Sequence, residues 1–285
     1  ANIWWMAASL AVFAVSNVLG SFQWYLLLKS KALPLSFRKA LCYYHVGLFF
    51  NNFLIGYIGG DAFRIYDVSR STNDSTNAIS TVFFDRFIGF FTLSFVALAI
   101  SLLWLPNGVA TTTIFMIVII VLGFFFSLLF LFKESSLLGW VLPAVVNSKL
   151  RELYLELNRF RRNRLFLLQL FMISIVVQIL RVLIHVFTAR AINVDANILH
   201  FFIFVPIIAI AASLPISFGG IGVREQSSIV LFSQVGVASH LVVVFEFLAY
   251  MVGILASIPG GIYFIVRRNE TKPGLSKKKE MIFGS

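Results

Sequence analysis

Two short stretches set glycine beside arginine in a largely apolar chain: Ile58-Gly-Gly-Asp-Ala-Phe-Arg64 and Pro215-Ile-Ser-Phe-Gly-Gly-Ile-Gly-Val-Arg-Glu225. In each, an arginine stands four residues after the second glycine of a pair: Gly59-Gly60 with Arg64, and Gly219-Gly220 with Arg224. This pairing suits the binding of an anion. Backbone N–H groups at the start of a helix attract negative charge, and a guanidinium fork contacts two phosphate oxygens at once. Asp61, Gly222 and Glu225 lie in the same stretches, and Pro215 would stop an incoming helix. A structural alternative stands beside this chemistry. The glycines would then permit close helix packing, and the arginines would reach toward headgroups with their stems in the apolar layer.

Other ionisable residues lie in or beside apolar runs. Asp85 and Arg86 begin one run, and Glu246 lies about six residues into another. Asp85 is expected either to pair with Arg86 or Arg64 or to join a binding site. Glu246 is a functional candidate because an ionisable group inside a span is costly without a role. It is expected to pair with Arg224 or to carry a proton. Arg181 and Gln178, about one turn apart, would face the same cavity or bind Glu246. The candidate headgroup site is therefore Gly59, Gly60, Asp61, Arg64, Asp85, Arg86, Arg181, Pro215, Gly219, Gly220, Gly222, Arg224, Glu225 and Glu246. The single cysteine, Cys42, and four scattered histidines show no ligand spacing, so neither a metal nor a cofactor is expected.

The composition states where such a site must sit. Hydrophobic residues make up 59% and charged residues 12%, with mean hydropathy +0.92. A soluble domain carries about twice that charge, so the chain reads as an all-α polytopic membrane protein whose first partner is the lipid bilayer. The net charge of +11 does not indicate nucleic acid, because the lysines and arginines sit between apolar runs, as the positive-inside bias requires. The chain opens Ala-Asn-Ile-Trp-Trp without a basic leader, so no signal peptide is expected, and an upstream piece is expected before Ala1.

Spans are expected at about 3–28, 80–104, 111–132, 165–190 and 240–266. The loop 29–39 carries Lys29, Lys31, Arg38 and Lys39 and no acid, which places it in the cytoplasm. Run 40–58 is long enough for one crossing but not two. Residues 61–79 form a second cytoplasmic segment, with a polar loop at Ser71–Asn77. The uncharged turn Pro106-Asn107-Gly108 is read as exterior. Segment 133–164 has seven Lys/Arg against three Glu, and its apolar residues recur at helical spacing. It is expected to be an amphipathic helix on the membrane surface or a solvated connector. Segment 198–235 is apolar but interrupted by Pro206, Pro215 and the glycines.

Sliding the chain on itself by 160 residues lays Gly59 on Gly219 and one set of apolar runs on another. With loops 29–39 and 61–79 on one side, segment 40–60 must return to its own side. With loop 190–197 and the start of span 240–266 both exterior, so must 198–235, as a re-entrant hairpin or as two short crossings meeting near Gly219. The expected architecture is an inverted structural repeat with two broken or re-entrant segments, as in transporters. It forms a single transmembrane domain over 1–285: repeat A about 1–104, a linker span and cytoplasmic helix about 111–164, repeat B about 165–266, and a basic tail 267–285.

Three motifs, Ile58–Arg64, Ser80-Thr-Val-Phe-Phe-Asp-Arg86 and Leu214–Glu225, resemble signatures of one family: the flippase-like transmembrane domain of lysylphosphatidylglycerol synthases, also found alone. The resemblance runs in order along essentially the whole chain. It implies a multi-pass cell-membrane protein, not an enzyme, that moves an anionic or aminoacylated phospholipid between leaflets. Stand-alone relatives also suggest a polyprenyl-phosphate lipid, and a homo-oligomer is compatible with either. The soluble aminoacyl-transferase domain of bifunctional members is absent from this sequence, so synthase activity is not carried over. An intramembrane lipid-modifying enzyme would need a nucleophile–base set or an acidic metal cluster, and no such motif is seen. A membrane scaffold would not need both arginines in a cavity. Single cysteines at Lys31, Arg161 and Lys278 are expected to label from the cytoplasm, and one at Asn107 from outside. Labelling of position 31 from outside would favour eight simple crossings.

Overall fold

The computed structural model describes residues 1–54, 58–104, 109–132 and 164–270, and these form nine α-helices without a strand among them. The helices are α1 (Ile3–Ser30), α2 (Phe37–Asn51), α3 (Ile58–Thr72), α4 (Ser75–Leu103), α5 (Thr111–Phe132), α6 (Arg164–Ala191), α7 (Ile198–Ser213), α8 (Val223–Ser233) and α9 (Ser239–Glu270). Four of them, α1, α4, α6 and α9, are long and apolar enough to cross a membrane. The expected turn at 106–108, the amphipathic helix within 133–164 and the tail beyond 270 lie outside the described residues.

The long helices are amphiphilic in an inverted sense. Ser9, Ser16, Asn17, Ser21 and Gln23 of α1 are buried, while Ile3, Trp4, Leu10, Val15 and Val18 are exposed. Polar residues thus face protein and apolar ones face outward, as hydrocarbon solvent demands. Helix α1 packs antiparallel to α6. The Asn2 N–H donates to Ala191 C=O (2.6 Å), and Trp5 meets Phe187 at 5.4 Å between ring centroids.

Between the long helices lie two antiparallel hairpins. In α2–α3, Phe50 stacks on Phe63 (3.8 Å), and the Tyr43 hydroxyl meets that of Ser71 (2.7 Å). In α7–α8, Phe232 packs on Phe201 and Phe204 (4.9 and 5.1 Å). Their arms of 11 to 16 residues span only about 17–24 Å at 1.5 Å per residue, less than the ~30 Å hydrocarbon layer. Pro206 is accommodated inside α7, so the break expected in 198–235 falls at 214–222 alone.

Segment 61–79 is a correction to the sequence reading. Most of it is not loop: α3 runs from Ile58 to Thr72, and α4 already starts at Ser75. Asp61 in the first turn favours a helix start there, while Arg64, Asp67 and Val68 are buried. The two glycine pairs are consequently not alike. Gly59 and Gly60 lie in the first turn of α3, whereas Gly219, Gly220 and Gly222 sit in the 214–222 break with φ of +57°, +79° and +83°.

The two larger apolar cores form at opposite ends of the bundle. One gathers Trp24, Leu27 and Leu28 of α1 with Ala78 and Val82 of α4 and Leu170 of α6. The other gathers Phe201, Phe204, Phe232 and Phe245 with Leu93, Ala97 and Val186. The first end also carries the basic loop with Lys29 to Lys39.

Gly60 sets the close approach of α2 to α3. A Cβ there would collide with the Gly47 carbonyl and the Asn51 amide. Gly60→Leu should therefore destabilise the protein by roughly 1–3 kcal/mol, as overpacking does. Gly123→Ala, with open space around it, should be neutral or mildly stabilising. Thermal unfolding in detergent distinguishes the two.

Candidate functional site

Between the two cores lies a cavity of about 200 Å³, roughly seven waters at ~30 Å³ each. That is the scale of a lipid headgroup. Its walls come from α1, α2, α4, α6, α7, α8 and α9 and from the break before α8. The tips of the two hairpins meet at its edge. The Gly219 N–H donates to Leu54 C=O (3.0 Å), and the Tyr250 hydroxyl donates to Asn52 C=O (2.8 Å). The Asn52 amide donates in turn to Ser257 Oγ (2.9 Å). At Gly219 only glycine serves: the left-handed φ disfavours a side chain, and a Cβ would press on the Asn52 carbonyl at 2.7 Å.

The structure divides the sequence-derived arginines into two classes. Arg64 belongs to the first. It is 2% exposed, its Nη2 donates to Asp85 Oδ2 (2.8 Å) and its Nη1 to Asp61 Oδ1 (3.3 Å). The guanidinium lies over the Trp24 and Tyr44 rings at 4.2 and 4.7 Å. Arg86 holds Asp61 through a fork, Nε to Oδ2 (2.7 Å) and Nη2 to Oδ1 (2.9 Å). Gln23 donates to the remaining oxygen of Asp85 (3.2 Å). Arg64, Asp61, Asp85 and Arg86 are thus a neutral network that pins α3 to α4. The expectation of Arg64 as a ligand clamp is corrected, because its charge is already met and it does not line the cavity. Asp85 does pair with Arg64, one of the partners expected for it.

Arg181 and Arg224 form the second class. Both line the cavity, and neither has a carboxylate partner among the described residues. Arg181 donates to the Tyr44 hydroxyl (3.0 Å). Arg224 sits in the first turn of α8, donates weakly to Gly219 C=O (3.4 Å) and lies 5.4 Å from the Tyr250 ring centroid. Gln178 lines the same cavity and donates to Gly89 C=O (3.1 Å).

The acids and glycines find other partners than the sequence suggested. Glu246 is fully buried and meets His185 Nδ1 (3.0 Å), not Arg224 or Arg181. Glu225 caps its own helix by accepting from the Gly222 N–H (2.6 Å). The Gly60 N–H goes to Asn51 Oδ1 (2.9 Å). The N–H groups of Gly60, Gly219 and Gly222 are therefore in use, which removes them as an anion cradle. Gly59 packs against Leu54, and Gly220 against Ala212. Pro215 lies exposed in the break, just after α7 ends.

Sequence reasoning passed over Asn17, Tyr44, Tyr250 and His185, which all line the cavity. A usable signal exists for α1. Asn17, Gly20 and Gln23 recur at helical spacing on one face of an apolar span, and all three line the cavity. No comparable signal marks the tyrosines, which look like belt or core residues.

Removing Arg64 should leave Asp85 buried with only Gln23. Arg64→Ala is therefore expected to cost about 3–5 kcal/mol, the usual loss when one partner of a buried pair is deleted. Arg64→Leu combined with Asp85→Leu should recover much of it. Arg181→Gln should move the unfolding midpoint little, because no carboxylate is left behind. Denaturant or thermal unfolding in detergent reads all three.

No curated protein and no solved structure matches the chain. The family described as "Lysylphosphatidylglycerol synthase TM region" matches residues 1–248, which takes in both glycine–arginine motifs, the Asp85-Arg86 pair, Arg181 and Glu246. With a membrane-length helical bundle around a polar cavity and that match over most of its length, the chain is a multi-pass membrane protein belonging to the lysylphosphatidylglycerol synthase transmembrane family.

Proposed function

We propose that the chain is a lipid translocator of the cell membrane, and not an enzyme. It takes a phospholipid headgroup into the central cavity while the acyl tails stay in the bilayer. One observation carries this reading: Arg181 and Arg224, on different helices, line one headgroup-sized cavity without a carboxylate partner among the described residues. At membrane depth a guanidinium costs at least ~2.5 kcal/mol on insertion scales. A phosphate entering between the two would offset that cost, and Arg can bind it in bidentate fashion. The cargo class is an anionic or aminoacylated phospholipid, with a polyprenyl phosphate as the alternative.

The architecture supports movement from either leaflet. Helices α1 and α6 run antiparallel, and the hairpins α2–α3 and α7–α8 touch at their tips beside the cavity. The base of α7–α8 lies at the end where Gln234 accepts from the Ala110 N–H (3.1 Å). The base of α2–α3 lies at the basic end, beside Phe37 and Tyr25. Two short hairpins entering from opposite sides fit the inverted repeat with re-entrant segments expected from the sequence. The positive-inside bias then puts the Lys29–Lys39 end in the cytoplasm. The sequence has no G-x-x-x-x-G-K-[ST] nucleotide loop, so transport runs downhill or on an ion gradient.

Arg181→Ala and Arg224→Ala should each lower lipid movement about tenfold to a hundredfold, the range of one lost charged hydrogen bond, at unchanged protein level and unfolding midpoint. Arg224→Lys should recover part of the rate. The measurement is leaflet-resolved lipid accessibility in liposomes. Full activity in the double alanine variant would refute the clamp.

A further inference from the structure

The charge of the cavity discriminates among the cargoes named above, so the following rests on the translocator reading. Three arginines line the cavity, Arg86, Arg181 and Arg224, against one carboxylate, Asp85. Arg86 is held by Asp61, and Asp85 is held by Arg64 and Gln23. Glu246 is fully buried and does not line the cavity; one of its oxygens meets His185 Nδ1 (3.0 Å), and the other has no partner among the described residues. Glu225 is turned to the α8 N-terminus. Among the lining side chains, the charges without an ionic partner in the described residues are therefore the two guanidiniums of Arg181 and Arg224.

A headgroup that carries an ammonium would need a carboxylate or an aromatic face. The one lining carboxylate has both oxygens engaged. The Tyr44 ring already lies under Arg64, and the Tyr250 ring lies near Arg224. Both tyrosine rings, which could join a cation cage, thus already face the protein's own cations. Phe13 and Phe90 also line the cavity, and phenylalanine is a weaker cation–π partner than tryptophan. The remaining lining polar side chains are His185 and amides, among them Asn17, whose Oδ1 has no partner among the described residues.

From this we infer that the cavity selects a headgroup whose phosphate has no compensating cation, and disfavours an aminoacylated headgroup of net positive charge. Phosphatidylglycerol and a polyprenyl monophosphate share that chemistry. Lysylphosphatidylglycerol, with two ammonium groups against one phosphate, does not. The family's name would lead to the opposite expectation, and the pairing of the charges around this cavity is what decides against it.

The test uses the full chain reconstituted in phosphatidylcholine liposomes with fluorescent lipids labelled in their hydrophobic tails, so that every headgroup is intact. Dithionite quenching reads the movement of labelled phosphatidylglycerol, lysylphosphatidylglycerol, polyprenyl phosphate and phosphatidylcholine. At least one anionic lipid should move about tenfold faster than lysylphosphatidylglycerol, the effect of one like-charge contact at roughly 10 Å in an effective dielectric of ~20. Whichever anion is faster identifies the lipid class, and either result supports the inference. Lysylphosphatidylglycerol moving as fast as both anions, or faster, overturns the inference and leaves the translocator reading standing. No lipid moving above protein-free liposomes overturns that reading and this assignment with it.

Discussion

A helix that breaks inside a membrane protein frees backbone groups that hydrocarbon cannot satisfy, each at a cost of several kcal/mol. The structure meets that constraint by bringing its two breaks together. The carbonyls of Asn52 and Leu54, past the end of α2, accept from the Tyr250 hydroxyl and the Gly219 N–H. Gly60 N–H, at the start of α3, finds the Asn51 side chain. One bond thus joins the two tips, and α9 and the Asn51 side chain meet the other groups named here. The position of the cavity follows, because two short hairpins meeting midway leave room between the long helices that flank them.

Charge obeys the same logic. Four ionised groups, Asp61, Arg64, Asp85 and Arg86, are closed on one another, with Arg64 further covered by Trp24 and Tyr44. Such a network holds α3 and α4 in register and contributes no field to a ligand. Arg181 and Arg224 stand apart from it. Tyr44 links the two sets: Arg64 covers its ring while Arg181 donates to its hydroxyl. Gly20 permits this, since a Cβ there would strike the Tyr44 hydroxyl at 2.6 Å. A rigid neutral network thereby positions one of the two guanidiniums available for binding.

The same residue type thus plays opposite parts within one motif pattern. Arg64 and Arg224 occupy matched places after their glycine pairs, yet one is fully compensated and the other faces the cavity. Their glycines diverge as well: Gly60 is a contact point between helices, and Gly219 is a left-handed turn residue. A repeated motif fixes where the chain approaches itself closely, and the neighbours it meets decide what each copy does.

Class and span positions were legible in the sequence because solvent imposes them locally. Hydrocarbon requires long apolar runs, so α1, α4, α6 and α9 could be read within a few residues, and the break near Gly219 was marked by proline and glycine. The family was legible from three motifs in order. A place in the cavity lining was legible for Arg181 and Arg224, as ionisable residues in or beside apolar runs. Partnership was not. That Arg64 closes on Asp85, that Glu246 turns to His185, and that Tyr44 and Tyr250 occupy the cavity wall depend on contacts between residues 21 to 198 positions apart. Coulomb energy and hydrogen bonding act over a few ångströms in space and carry no periodicity along the chain. Only the packing of helices could decide which charges cancel and which remain.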